Sequence, residues 1–430
     1  MKKFLVPALF SFLLSVPCAA APFTPKAYIK AALDASLTMR RSEQTFRQAE
    51  NNYKNTILDA ALPAFTFSMS DTFYGDQRTA PRLSRGDVDS RLSAAWNLYD
   101  SAAGPLYKVR TAKLDFESAR LAHLIARQNE AVKALNRFYS LYSAQQKISI
   151  AKMNLESRER QYKDTNEQYQ SGTRSKIEVT QSEGDKLQSE LALAQAEAAE
   201  RKALMAFNEL IDAEPDAQQE VQVSTQSVNI SLPLPKEDVA RALENNLGLR
   251  QQRLALDKTK LSTRSGSLSN YPRVKVDAAW GKSALGILGT RSGSWSGNPS
   301  YGLGATLSFP FGFAGVQNYR ELDTQKAVLE AAELELRNSV RALKTSVLSA
   351  QNDIALQVKS RQLLEFQVNA QKDATDNLLT EYSVGNAAFL QLDSSQTKLL
   401  DASNSQITAL NDLDLALAGY KVLLGESFWE

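Results

Sequence analysis

What most constrains the fold of this chain is that its second half repeats its first, down to a set of strands that neither half could complete alone. Pro25 opens a helical stretch reading Ala32-Leu33-Asp34-Ala35-Ser36-Leu37. Pro235, at an offset of 210 (235 − 25), opens another reading Ala242-Leu243-Glu244-Asn245-Asn246-Leu247. Leu62-Pro63 and Tyr271-Pro272 each introduce a strand-like run, and Tyr169-Gln170-Ser171-Gly172 and Tyr382-Ser383-Val384-Gly385 each interrupt a long helix. A register kept to within a few residues over so long a span marks a duplicated structural unit. The units predicted are residues 21–212 and 235–430, joined by a linker at 213–234.

The first residues indicate a compartment. Lys2 and Lys3 precede an apolar run from Phe4 to Val16, followed by Cys18-Ala19-Ala20, the pattern of a secretory leader. Cleavage is expected after Ala20, making 1–20 the signal peptide, because a cut after Ala21 would put Pro22 beside the scissile bond. A lipid-modified Cys18 is the rival reading, and Val16-Pro17 fits its pattern poorly. Removing the leader takes away the single cysteine and two lysines, so the formal charge of +2 becomes zero (2 − 2). A mature chain of this kind can form no disulfide and offers no thiol nucleophile. Its charge balance lacks the basic footprint of a nucleic-acid partner. Beyond residue 21 no stretch approaches the uncharged apolar length of a spanning helix, so entry into a membrane would have to use strands.

Proline sets the coarse organisation. The tracts from Pro105 to Pro215 and from Pro310 onward are free of it and rich in Ala, Leu, Gln, Glu and Lys, which favours helix. In the first, Leu121, Ile125, Gln128, Val132, Leu135, Tyr139 and Tyr142 step by four and three; in the second, Leu336, Val340, Leu343, Val347, Ala350 and Ile354 do so. Leu410, Leu413, Leu417, Tyr420 and Leu424 continue the pattern, which is the seam of a coiled coil. A helix over 105–168 would be roughly 95 Å long at 1.5 Å per residue. Helices of that length bridge a distance.

Four runs of a different kind lie between the helices, predicted as strands at about 62–74, 89–99, 272–282 and 300–309. Phe65, Phe67 and Met69 alternate with Thr66, Ser68 and Ser70; Leu92, Ala94, Trp96 and Leu98 alternate with Arg91, Ser93 and Asn97. Val274, Val276, Ala278 and Trp280 alternate with Arg273, Lys275 and Asp277, and Tyr301, Leu303, Ala305, Leu307 and Phe309 with Gly302, Gly304, Thr306 and Ser308. This is the length and period of a transmembrane β-strand, with Phe65, Phe67, Trp96, Trp280, Leu303 and Leu307 toward lipid. A soluble sheet with one wet face would alternate too, but the leader, the long helices and the two tryptophans favour lipid. Four strands cannot close a barrel, and an open edge in lipid leaves N–H and C=O groups without partners. The missing strands must come from other copies: two give eight and three give twelve, and only the larger ring leaves a water-filled bore. The residues alone do not choose between them.

The order helix, strand pair, long helix, Tyr-x-x-Gly turn and return helix, present twice, resembles the outer-membrane efflux protein (TolC) family. The matching pieces are Ala61-Leu62-Pro63, Asn97-Leu98-Tyr99-Asp100 leading to Gly104, and Phe309-Pro310-Phe311-Gly312 leading to Gly315. The turns, expected at about 169–182 and 382–395, carry Gly172 with Ile177-Glu178-Val179, and Gly385 with Leu390-Gln391-Leu392; Val422-Leu423-Leu424-Gly425 closes the match. The resemblance implies a homotrimer: a twelve-stranded outer-membrane barrel continued by a periplasmic tube of helical hairpins. Such a duct works with an inner-membrane transporter and a periplasmic adaptor to export drugs, metals or proteins. It also implies that the turns form a periplasmic tip, with Gly172, Ile177, Val179, Gly385, Leu390 and Leu392 receiving the adaptor. Glu178 and Tyr382 fall where the family pairs an acid and a tyrosine to hold the tip closed. Gln391 and Ser394 fall where the best-known members carry acidic rings; this chain has no acid at either, and Asp393, one position off, is the acid available for gating.

The plain alternatives are specific. Gly172 and Gly385 could be ordinary helix-terminating glycines, Glu178 a solvated helix charge, and Tyr169 and Tyr382 packing residues. His123, the only histidine, has no metal-ligand cluster beside it and reads as an inter-helix residue. Neither a Ser-His-Asp set nor a zinc site can be assembled, so no enzyme, metal or cofactor is expected. The other reading is a periplasmic coiled-coil adaptor or surface stalk, for which four lipid-length alternating strands would have no use.

Overall fold

The computed structural model describes residues 22–75, 83–100, 104–223, 235–285, 300–308, 312–384 and 386–429. The leader with its cleavage site and Cys18, the linker residues 224–234, Phe309-Pro310-Phe311 and Gly385 lie outside the described residues. The order is α1 (Pro25–Ala35), α2 (Leu37–Ala61), β1 (Ala64–Gly75), β2 (Leu83–Asp100), α3 (Pro105–Gln170) and α4 (Lys176–Leu210). The second repeat follows as α5 (Pro235–Asn245), α6 (Leu247–Ser267), β3 (Arg273–Leu285), β4 (Ser300–Ser308), α7 (Phe313–Ser383) and α8 (Phe389–Leu424).

Pro25 opens α1 because its fixed φ suits the first helical turn, while Thr24 caps the helix by accepting from the Ala27 N–H at 3.3 Å. The helical stretch expected through Leu37 is broken at Ser36. That residue ends α1 with its own N–H and starts α2 with its hydroxyl, which also donates to the buried Glu130 at 2.6 Å. Asn246 does the same in the second repeat, capping Leu249 at 2.9 Å and donating to the Leu423 carbonyl at 3.1 Å. A side chain that satisfies two helix ends lets the chain turn without orphaned donors.

The long helices α3 and α7 have 66 and 71 residues. At 1.5 Å per residue each is about 100 Å long. Helix α3 packs on α2, α4, α6 and α8, and α7 packs on α6 and α8. The lateral order is therefore α2 with α4, then α3, then α6 with α8, then α7. Residues of the expected seams at Val347, Ile354, Leu413, Tyr420 and Leu424 are buried together. On α3 the deepest face is shifted from the expected one, to Ala131, Ala134, Phe138 and Leu141, because neighbours press on it from several sides.

Each repeat ends its core on a different pair. Three residues after the opening proline, Tyr28 stacks on Phe207 with centroids 3.8 Å apart and donates to its carbonyl at 2.9 Å. At the same place in the second repeat stands Asp238, fully buried, accepting from Tyr420 and, at 2.9 Å, from Gln351, with Arg241 at 3.2 Å. Burial and the bond to Asp238 push the Tyr420 phenol up to about 12.

The strands form one antiparallel sheet ordered β1-β2-β3-β4, so the two repeats are joined through β2 and β3, and β1 and β4 are its edges. The registers put the four alternations in phase. Phe67 pairs Leu92, which pairs Trp280, which pairs Tyr301; Phe65, Ala94, Ala278 and Leu303 form the next such row on that face. The other face is small or polar: Thr66, Ser93, Ala279 and Gly302 in one row, Ala64, Ala95, Asp277 and Gly304 in another. Two details differ from the sequence reading. Strand β2 begins at Leu83 rather than near 89, paired to the end of β1. A bulge after Asn97 leaves Leu98 without a partner, so Tyr99 takes the place opposite Val274.

Candidate functional site

The sheet and the turns at the far end of the long helices are the two places where the chain offers more than packing. On the sheet, Phe65, Phe67, Trp96, Trp280, Leu303 and Leu307 are all exposed, Leu303 by 81%. They lie on the apolar face that the registers define. A continuous apolar face of this kind on a chain in water is a liability, and in lipid it is a requirement. No described helix is long and apolar enough to cross a membrane.

At the tip, α3 ends with Gly172 at φ +81°, a left-handed position that a side chain would strain. Its N–H bonds Tyr169 and that of Thr173 bonds Gln168, both at 2.9 Å, which absorbs the last carbonyls of the helix. Ser175 then caps α4 in a reciprocal box: its hydroxyl accepts from the Glu178 N–H at 3.3 Å and the Glu178 carboxylate accepts from the Ser175 N–H at 3.0 Å. That backbone bond, with Arg174 beside it, holds the Glu178 carboxyl below the usual carboxylate range.

Glu178 and Tyr382 do not bond each other within the protomer. Tyr382 is 1% exposed, and its hydroxyl lies 2.8 Å from Thr165. Thr165 gives its own proton to the Gln161 carbonyl at 2.7 Å, so Tyr382 is the donor. The expected hydroxyl–carboxylate latch fails because the capping box claims the acid and α3 claims the phenol. What connects them is Arg174. Its guanidinium sits 4.7 Å from the centre of the Tyr382 ring, pairs with Glu178 at 3.3 Å and donates to the Ala387 carbonyl at 3.3 Å. Gln168 accepts from its Nε at 3.0 Å. One side chain of the first turn thus holds the second.

The expected partner-facing residues separate. Ile177 and Leu390 are exposed by 78% and 70%, and Val384 beside them is exposed too. Val179 is half-buried. Leu392 is fully buried against Tyr382 and Phe389, since the helical spacing of 389 and 392 turns both inward, so it cannot present itself to a partner. Asp393 binds Arg158 of α3 at 2.7 Å, while Gln391 and Ser394 face solvent. His123 accepts or donates at 3.0 Å to Ser42 between α2 and α3. Sequence reasoning missed Arg174, Thr165 and Arg158. A signal existed: Arg158, Gln161 and Thr165 follow one another at helical spacing on a buried face, where polar residues need a reason.

Two long-helix hairpins joined to one sheet with an exposed apolar face define the fold. The solved structures agree. The chain superposes on CusC with a TM-score of 0.78 at 13% identity, over 94% of this chain and 92% of that one. With VceC from Vibrio cholerae, an outer membrane protein, the TM-score is 0.75 at 17% identity, over 94% and 96%. The open state of the Neisseria gonorrhoeae MtrE outer membrane channel gives 0.76 at 16%, over 94% and 89%. No curated protein matches by sequence. Residues 239–426, within the second repeat, match the outer membrane efflux protein family.

Proposed function

We propose that this protein is an outer-membrane export duct, gated at its helical tip, that gives passive passage from an inner-membrane transporter and periplasmic adaptor to the cell exterior. The carrying observation is the sheet: one apolar face, one small polar face, and two edges belonging to different repeats. Edges in lipid demand partners, so several copies share one barrel. Three copies are favoured. The row Thr66, Ser93, Ala279 and Gly302 is too small to fill an eight-stranded interior, whereas a twelve-stranded ring leaves it lining water. The helices end in matching edges, with Leu187 and Leu191 exposed on α4 and Leu356, Leu363 and Phe366 on α7. In the closed ring α4 of one copy covers α7 of the next.

The helical part then extends into the periplasm, and Ile177, Val384 and Leu390 offer the adaptor an apolar landing at the tip. The adaptor-or-stalk reading is not favoured, since it leaves the apolar sheet face without a use. The description of the matched family, outer membrane efflux protein, supports a transport role. Mass determination of the detergent-extracted outer-membrane protein tests the reading: a trimer is expected, and a stable inserted monomer would overturn it.

A further inference from the structure

Above the tip core, Arg158 of α3 lies where α3, α4 and α8 meet. Its side chain is 8% exposed, yet it faces two carboxylates from two different hairpins. Asp393 of α8 is in direct contact at 2.7 Å, and Asp185 of α4 stands off at 3.7 Å. Gln161 accepts a further bond from the same nitrogen at 3.2 Å. Asp185 Oδ2 is buried and accepts no hydrogen bond in this arrangement. A buried acceptor left idle is costly, and its retention needs an explanation.

We propose that Arg158 is a positioning residue of the gate, an ion pair with two seats: on Asp393 while the hairpins are closed, and on Asp185 once α8 leaves α3. The inference rests on the duct reading above. Its physical basis is that arginine cannot shed its charge in a protein. Pulling α8 away would strand a buried cation, which is strongly unfavourable. Asp185 belongs to the same hairpin as Arg158, so it stays within reach whatever α8 does. The guanidinium has to move by about the difference between a contact and a charge-assisted bond. Opening then exchanges one pair for another instead of breaking one.

The charged groups acting on Asp185 are Arg158 from α3 and Asp393 from α8. Lys186 on its own helix is turned to Glu190 at 3.6 Å and to the Tyr162 ring. Burial holds the Asp185 carboxyl above the usual range, with Asp393 adding to the shift and Arg158 opposing it. A raised acid takes its proton as the pH falls, and a protonated Asp185 is a poor second seat. Lowering the pH therefore favours the closed tip.

The test is single-channel recording of the trimer in planar bilayers, across voltage, for the isosteric variants Asp393→Asn and Asp185→Asn. Removing the closed seat should raise the open-to-closed ratio and removing the open seat should lower it, each on the order of tenfold. Both substitutions delete one negative charge, so a simple field effect would move them together. The second measurement uses the unaltered protein: its open probability should rise as the pH is raised out of the acidic range, and this slope should vanish in Asp185→Asn. Shifts in the same direction, or an Asp185→Asn channel indistinguishable from the parent with the pH slope intact, would overturn the hand-over and leave the duct standing. A trimer that never conducts would bring down the duct reading and the inference with it.

Discussion

Replacing Arg174 by Gln isolates the connection between the two tip turns. Four contacts are lost; the one to Gln168 stays within its own hairpin, and the other three differ in kind. The bond to the Ala387 carbonyl crosses between hairpins, and a hydrogen bond from a charged donor contributes about 1.5–3 kcal/mol. The guanidinium over the Tyr382 ring also crosses, and at a site this shielded adds about 0.5–2 kcal/mol. The pair with Glu178 stays within one turn, and Glu178 is partly exposed, so it contributes little to closure. The cross-hairpin loss is thus about 2–5 kcal/mol for one copy, before whatever the amide recovers. Tyr382→Phe removes only the bond to Thr165, about 0.5–1.5 kcal/mol, and leaves Thr165 still bonded to Gln161. The ranking expected for resting conductance in planar bilayers is Arg174→Gln, then Tyr382→Phe, then Glu178→Gln, with the first also sensitising cells to large antibiotics. If Glu178→Gln opened the channel as far as Arg174→Gln, with the trimer intact, the acid would be the latch and the reasoning from Arg174 would be wrong.

Phe67→Arg or Leu303→Arg should impair membrane insertion by about 2–4 kcal/mol for a site near the midplane, while Thr66→Arg or Thr306→Arg should leave the outer-membrane fraction nearly unchanged; equal loss in both sets would place the wrong face in lipid. Asp238→Ala strips Tyr420, Gln351 and Arg241 of their shared acceptor and should cost about 3 kcal/mol in denaturant unfolding. Because the folded Tyr420 phenol titrates above the ordinary phenol value of 10.0, the stability it contributes should be complete below pH 10 and lost as the pH rises through about 12. In Tyr420→Phe that alkaline step should be missing from a pH series of unfolding curves.

The repeat and the strands were legible because each rests on a local rule. Proline opens helices, and alternation with period two declares a half-buried strand wherever it occurs. The registers then placed Phe67, Leu92, Trp280 and Tyr301 in one row without help from any turn motif. What escaped was set by contacts between distant segments. Nothing local to Ser36 says that its hydroxyl will serve Glu130, and nothing local to Leu98 says that a bulge will skip it. At the tip the residue types were right and the pairing was not, since the capping box is a bond over three residues and competes successfully for Glu178. Arg174 won its place by reach, which spacing along one helix does not reveal.

The seam between the repeats has one more consequence. Within a protomer β2 meets β3, the last strand of one repeat against the first of the next. In a closed ring of three, β4 would meet β1 of the following copy in the same sense. Joints inside a chain and joints between chains then differ only in the linker that spans one of them. A threefold assembly built this way is nearly sixfold, alternating two kinds of hairpin around the axis. A partner fitted to the groove beside one kind meets a close copy of it beside the other.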